Sequence, residues 1–231
     1  MKTLLWSLPV MLLSLTLAPH LSAAVCVNPS GCVFTFNTTN GGTAGSFGTV
    51  TLTNVGADIM VDVHLAAGFH LIDTGSINGH QSFDFNDTSG GVTEGSFSNS
   101  QYFHDSGAPF HDDGFGTFGD ALGSTAGPGA GSSGVNELTF KVLGHTNVND
   151  IVGLSSGGTY NAYFAADIFA DASACGATGF GGSCTGLVGV TGGGGNISGV
   201  PEPGSYLGLL MSGLAGMLLV ERRRRNRLTA E

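Results

Sequence analysis

A two-residue alternation of apolar and polar positions dominates the middle of the chain. In Asp58–Leu65, Ile59, Val61, Val63 and Leu65 point one way while Asp58, Met60, Asp62 and His64 point the other. Val33–Asn37, Thr49–Asn54, Gln81–Asn86 (Phe83 and Phe85 inward) and Glu137–Val142 (Leu138, Phe140 and Val142 inward) repeat the pattern. Such segments are half-buried strands with one wet face, as in antiparallel sheets. Turn signals separate them: Asn40-Gly41-Gly42, Asn78-Gly79 and Ser89-Gly90-Gly91. Thr159–Ala170 is apolar on both faces, and its aromatic residues favour a central strand over a helix. Leu187–Val190 reads as a further strand closing the sheet. The pattern predicts an all-β domain of eight to ten strands, a β-sandwich or jelly-roll-like arrangement. Gly119–Gly134 reads as a flexible Gly/Ser/Ala/Pro loop, and Gly192–Gly199 as a linker.

The two ends break the alternation. Lys2 precedes an apolar run from Leu4 to Leu17, with Ala23 and Ala24 in a small-residue context, the layout of a secretory signal peptide over residues 1–24. This leaves residues 25–191 as the outer domain and 192–199 as the linker. In residues 200–231, Pro201, Glu202 and Pro203 hold the backbone stiff and non-helical. An apolar run follows from Tyr206 to Val220, and then Arg222, Arg223, Arg224, Arg225 and Arg227. As a helix that run is about 22 Å long, short of the roughly 30 Å hydrocarbon core it would cross. The arginines place its far end on the cytoplasmic side, with the bulk of the chain outside. Gly208, Ser212 and Gly216 recur every four residues and form a small-residue stripe on the predicted transmembrane helix.

The order Pro-Glu-Pro, short Gly-containing apolar helix, Arg cluster resembles the PEP-CTERM sorting signal of Gram-negative bacteria. The resemblance implies recognition by an exosortase, cleavage near the motif, transient residence in the cytoplasmic membrane, and a final place in the envelope or outside the cell. It also implies the company of exopolysaccharide machinery. An ordinary single-span anchor is the alternative. The outer region carries a weaker resemblance, around LTFKVLG and YFAADI, to uncharacterised outer domains of other proteins with this signal.

Charge narrows the partners. Between Val25 and Gly199 there are 14 acids and a single base, Lys141. That excess argues against nucleic acid and favours cations or neutral polysaccharide. Cys26, Cys32, Cys175 and Cys184 belong to an exported chain and pair locally, Cys26 with Cys32 and Cys175 with Cys184, across turn-forming residues.

The densest patch of potential ligands is His104–Asp120, with His104, Asp105, His111, Asp112, Asp113 and Asp120. Such a set suits Ca²⁺ or, through its histidines, a transition metal; a solvated acidic loop is the plainer reading. Phe103, Phe110, Phe115 and Phe118 interleave it, either tucked against the sheet or exposed as a sugar-stacking platform. Ser155 sits in a G-x-S-x-G pattern without the strand-turn-helix context a nucleophile elbow needs. The sequence therefore reads as a non-enzymatic exported protein with a structural or adhesive, biofilm- and exopolysaccharide-associated role and no resident cofactor. A Ca²⁺-assisted carbohydrate-binding module is the alternative, and a secreted hydrolase the third.

Overall fold

The computed structural model describes residues 26, 31–74, 81–107, 109–125, 134–182 and 184–191. The chain divides into two compact units, Met1–Gly195 and Asn196–Glu231. The second unit lies outside the described residues, as do the signal peptide, the Pro-Glu-Pro triplet, the small-residue stripe and the Arg cluster. Among the described residues no helix is long and apolar enough to cross a membrane.

Fourteen strands form along the described chain: β1 (Gly31–Thr39), β2 (Ala44–Val55), β3 (Asp58–Leu65), β4 (Phe69–Leu71), β5 (Phe83–Phe85), β6 (Glu94–Gly95), β7 (Tyr102–Asp105), β8 (Phe110–Asp112), β9 (Gly116–Phe118), β10 (Asp120–Ser124), β11 (Glu137–Val142), β12 (Ser156–Gly157), β13 (Phe164–Ala170) and β14 (Thr185–Gly189). The expected eight to ten rise to this number because several pieces are only two or three residues long. Among the described residues helix is confined to a 3₁₀ turn at Val148–Ile151 and one α-helical turn at Ala172–Cys175.

One large antiparallel sheet runs in the order β6-β11-β3-β2-β1-β14-β13-β5-β10-β7, with β4 pairing β13 off that path. Its two end strands meet at a seam, where the Glu94 carboxyl lies against His104 Nδ1. The architecture is thus a barrel- or sandwich-like sheet. The regular part follows from the alternating segments. Val63, Val61 and Ile59 of β3 lie opposite Leu138, Phe140 and Val142 of β11, all of them buried. The turn between β2 and β3 is two residues long, with Gly56 at φ +70°, the left-handed geometry that matches the twist of a tight hairpin.

The core is aromatic. Phe164 stacks on Phe83 at 5.8 Å between ring centroids and meets Phe34 edge-on at 5.0 Å, while Phe140 packs against Phe83, Phe85 and Phe97. Both disulfides pair as expected, Cys26–Cys32 with 5.9 Å and Cys175–Cys184 with 5.2 Å between Cα atoms.

Three sequence readings are revised. Thr159–Ala170 yields its strand only from Phe164 onward. The Leu187–Val190 segment, as β14, lies inside the sheet between β1 and β13 and does not close it. Gly119–Gly134 is not loop throughout, since residues 120–124 are β10, paired to both β5 and β7. Its apolar content is only Ala121 and Leu122, both fully buried. At Gly123 the exposed Phe103 ring lies over the backbone, 2.7 Å from where a Cβ would sit. Composition therefore reads as loop where glycine marks a close approach.

The core predicts a sharp contrast. Phe140→Ala should cost about 3–5 kcal/mol of unfolding free energy, whereas Phe103→Ala, at a ring 42% exposed, should stay within about 0.5 kcal/mol; urea denaturation of the two variants checks this.

Candidate functional site

The predicted ligand loop folds into strands. From His104 to Asp120 the chain supplies the end of β7, the β8–β9 hairpin and the start of β10. With β12, the hairpin makes a second, three-stranded sheet. This flap covers the outer face of the large sheet. Phe115 and Phe118 form an apolar cluster there with Ala162, Ala165 and Leu187. Gly189 lets the flap sit close, for a Cβ there would meet the Phe115 ring at 2.6 Å. Gly116, at φ +94°, passes so near Ser156 that a Cβ would lie 2.4 Å from its carbonyl oxygen. Phe110, Phe115 and Phe118 are buried and Phe103 is exposed. The tucked reading of these rings holds for three of the four, and a four-ring sugar platform does not form.

The six candidate metal ligands part company. His104 and Asp105 lie on β7, opposite Leu122 and Ala121 of β10. His111 is exposed on the flap's outer side, its Nδ1 3.2 Å from Thr117 Oγ1. Asp113 is exposed in the hairpin turn. Asp120 Oδ2 accepts the Asp87 backbone N–H at 3.1 Å. Only Asp112 turns inward from the flap, fully buried. Among the described residues, no three His, Cys, Asp or Glu side chains are placed together to hold a metal ion. The reason is strand alternation: neighbours in sequence are sent to opposite faces.

Two constellations take the place of that set. At the seam, Glu94 of β6 has a fully buried side chain against His104, with Asp120 close by. Burial, and after it the Asp120 charge, pushes the Glu94 carboxyl up to about 7. Beneath the flap, Asp112 meets Asp84 of β5, and Asp167 of β13 lies near both. All three aspartates are fully buried. Asp84 finds room because its cross-strand neighbours are the small Ala121 and Ala165. Asp167 Oδ2 accepts the Thr74 backbone N–H at 2.7 Å and also the Thr74 hydroxyl. Burial, reinforced by the Asp112 charge, raises Asp84 well above the usual carboxylate range, and burial also pushes Asp112 up to about 7.

Sequence reasoning did not single out Asp84, Asp167 or Glu94. A signal was present for the first two. Phe83-Asp84-Phe85 sets an acid between inward rings, and Asp167 lies in the segment that is apolar on both faces, where any acid is buried too.

Ser155 is a structural residue in this arrangement. Its buried hydroxyl donates to the Phe115 carbonyl at 2.6 Å and accepts the Ala162 N–H at 2.8 Å, tying the flap to the start of the central strand. With its proton committed to a backbone carbonyl, the hydroxyl is a cross-link between segments.

A family model described as the PEP-CTERM protein-sorting motif matches residues 199–225. No curated protein and no solved structure matches the chain.

Two outcomes follow from these geometries. Ser155→Ala strands the Ala162 N–H and the Phe115 carbonyl and should cost about 1–3 kcal/mol in urea denaturation. The raised Glu94 means that the folded chain keeps a proton the unfolded chain has released, so its stabilising contribution is full at acid pH and falls as pH rises toward about 7. Glu94→Gln should flatten the pH dependence of stability across that window by up to one proton, read from urea midpoints measured between about pH 5 and pH 8.

Proposed function

We propose that this PEP-CTERM domain-containing protein is a non-enzymatic, structural or adhesive component of the cell envelope or extracellular matrix, associated with exopolysaccharide. The observation that carries the reading is the sorting motif over residues 199–225. The motif implies an exported protein, an exosortase as its processing partner, and membrane-anchored transit before cleavage. The cargo is an acidic β-rich unit with one base, closed by two disulfides. Such a unit suits an exposed, oxidising location and a neutral polymer as neighbour.

The non-enzymatic reading draws support from how the reactive side chains are spent. Ser155 bonds backbone on both sides, and the acids beneath the flap are sealed from solvent. A sugar-binding role would have to rest on Phe103 and Tyr160, the exposed aromatic residues among those described. Neither ring is in a ring pair with another aromatic side chain among those described, so a stacking platform is the weaker reading.

Mass spectrometry of the protein's own C-terminus, in producing cells with and without the exosortase, tests the processing that the reading depends on. The form from exosortase-positive cells should lack Arg222–Glu231, and the deletion strain should retain it. An intact tail in exosortase-positive cells would instead indicate a plain anchor. Loss of cell or matrix attachment on deleting the protein, with exopolysaccharide output unchanged, is the expected phenotype of an adhesive component.

A further inference from the structure

The flap and the sheet meet at two carboxyl groups with no base between them among the described residues. Asp112 comes down from β8 and Asp84 up from β5; the two carboxyls lie against each other, both fully buried, and none of their four oxygens has a hydrogen-bond donor among the described residues. Among the described residues the remaining charged groups around them are also acids. Asp167 faces them from β13, Asp73 from the segment after β4, and Asp113 from the hairpin turn. The outer region's single base, Lys141, is held by Asp58 at 3.3 Å. His111 of the flap turns to the opposite, exposed side.

Two ionised carboxylates set against each other out of water repel strongly, and among the described residues no base offsets their loss of hydration. One proton between them turns the repulsion into a short charge-assisted hydrogen bond. We propose that Asp84 and Asp112 share a proton across this contact and so latch the β8–β9 flap onto the sheet, with a hold that weakens as the surroundings turn from acid to alkaline. Asp84 is the donor. It sits on the more deeply enclosed strand, against Asp73 and Asp167 as well as Asp112, so the proton is best kept there. A cation would need a third ligand at the same point. Among the described residues no three His, Cys, Asp or Glu side chains are placed together to hold one.

What the latch holds is the cover of the central strand. Releasing it exposes Phe110, Phe115 and Phe118, three rings otherwise buried, on a protein whose remaining surface is acidic. Rising pH thus weakens one of the contacts that keep this apolar surface covered, beside the ring packing and the Ser155 cross-link.

Burial raises both carboxyls, so the folded chain retains protons that the unfolded chain releases near pH 4. Both protons contribute in full below that pH; the Asp112 proton is gone above about 7, which leaves the Asp84 proton shared between the two carboxyls, and the latch is lost as pH rises through the raised Asp84 value. Each retained proton changes the folding constant about tenfold per pH unit across the window.

The test is a urea-denaturation series on the purified protein from about pH 5 to pH 8, in EDTA and in millimolar CaCl₂. Wild type is compared with Asp84→Asn, whose amide still donates to Asp112 but does not titrate, and with the exposed Asp113→Asn as control. In EDTA the wild-type folding constant should fall with rising pH, and Asp84→Asn should lose up to a tenfold-per-unit share of that fall while Asp113→Asn keeps it. CaCl₂ should leave the wild-type curve in place. Equal slopes in wild type and Asp84→Asn would overturn the proposal. So would a wild-type protein that gains stability toward pH 8, or one that CaCl₂ stabilises and EDTA weakens, which would make the pair a cation site. Should Asp84→Asn fail to fold, Glu94→Gln takes its place, because Glu94 is the other acid raised into this window: a fall in stability that survives Glu94→Gln supports the latch, and one that Glu94→Gln abolishes overturns it.

Discussion

β13 is buried on both faces, and each face is covered by a different device. Phe164, Ala166, Ile168 and Ala170 face the aromatic core, while Ala165 and Asp167 face the underside of the flap. A strand in an antiparallel sheet usually leaves one face to water. Here the second face gains a cover from a short hairpin whose own strands are three residues each. Such a hairpin is not stable alone. Its three phenylalanines, the Ser155 cross-link and the Asp84–Asp112 contact hold it in place, and it in turn dries the middle of the sheet.

That second cover creates the electrostatic character of the unit. A domain with one lysine and no arginine has few ion pairs to offer its buried acids beyond those with histidine. Closing the flap therefore places aspartates where only protons or backbone and hydroxyl donors can satisfy them. Asp167 takes the donors of Thr74; Asp84 and Asp112 have each other. At the seam the same rule acts on Glu94, which is removed from water beside His104. Exposed acids are satisfied differently: Asp87 accepts from Ser89 through both N–H and hydroxyl, and from Gly90 N–H at 2.6 Å, in the turn its own sequence encodes.

The regular half of the fold was legible because alternation and burial coincide there. Ile59 to Leu65 and Leu138 to Val142 show their inward faces directly, and the turn residues between them mark the hairpins. The flap and β10 were not legible. Their strands are too short to show a period, and glycines at points of close approach, such as Gly116, Gly123 and Gly189, imitate loop composition. Of the candidate site, Asp112 was readable as a chemically loaded residue, but its neighbours in sequence were misleading guides to its neighbours in space. Asp84 and Asp167 come from strands 28 and 55 positions away in the chain, and only the strand order brings them under the flap. The C-terminal address needed no three-dimensional knowledge, because its meaning lies in the order of its chemical types.

Native-state amide hydrogen exchange on the purified protein tests the doubly covered strand most directly. The amides of Ala165 to Ile168, together with Leu187 and Val188, should be among the slowest to exchange, with the flap amides of Phe110 and Phe118 well protected over them. If the amides of Ala165 to Ile168 exchange as fast as those of the two-residue edge strand at Glu94–Gly95, the strand is not enclosed and the account of this fold fails.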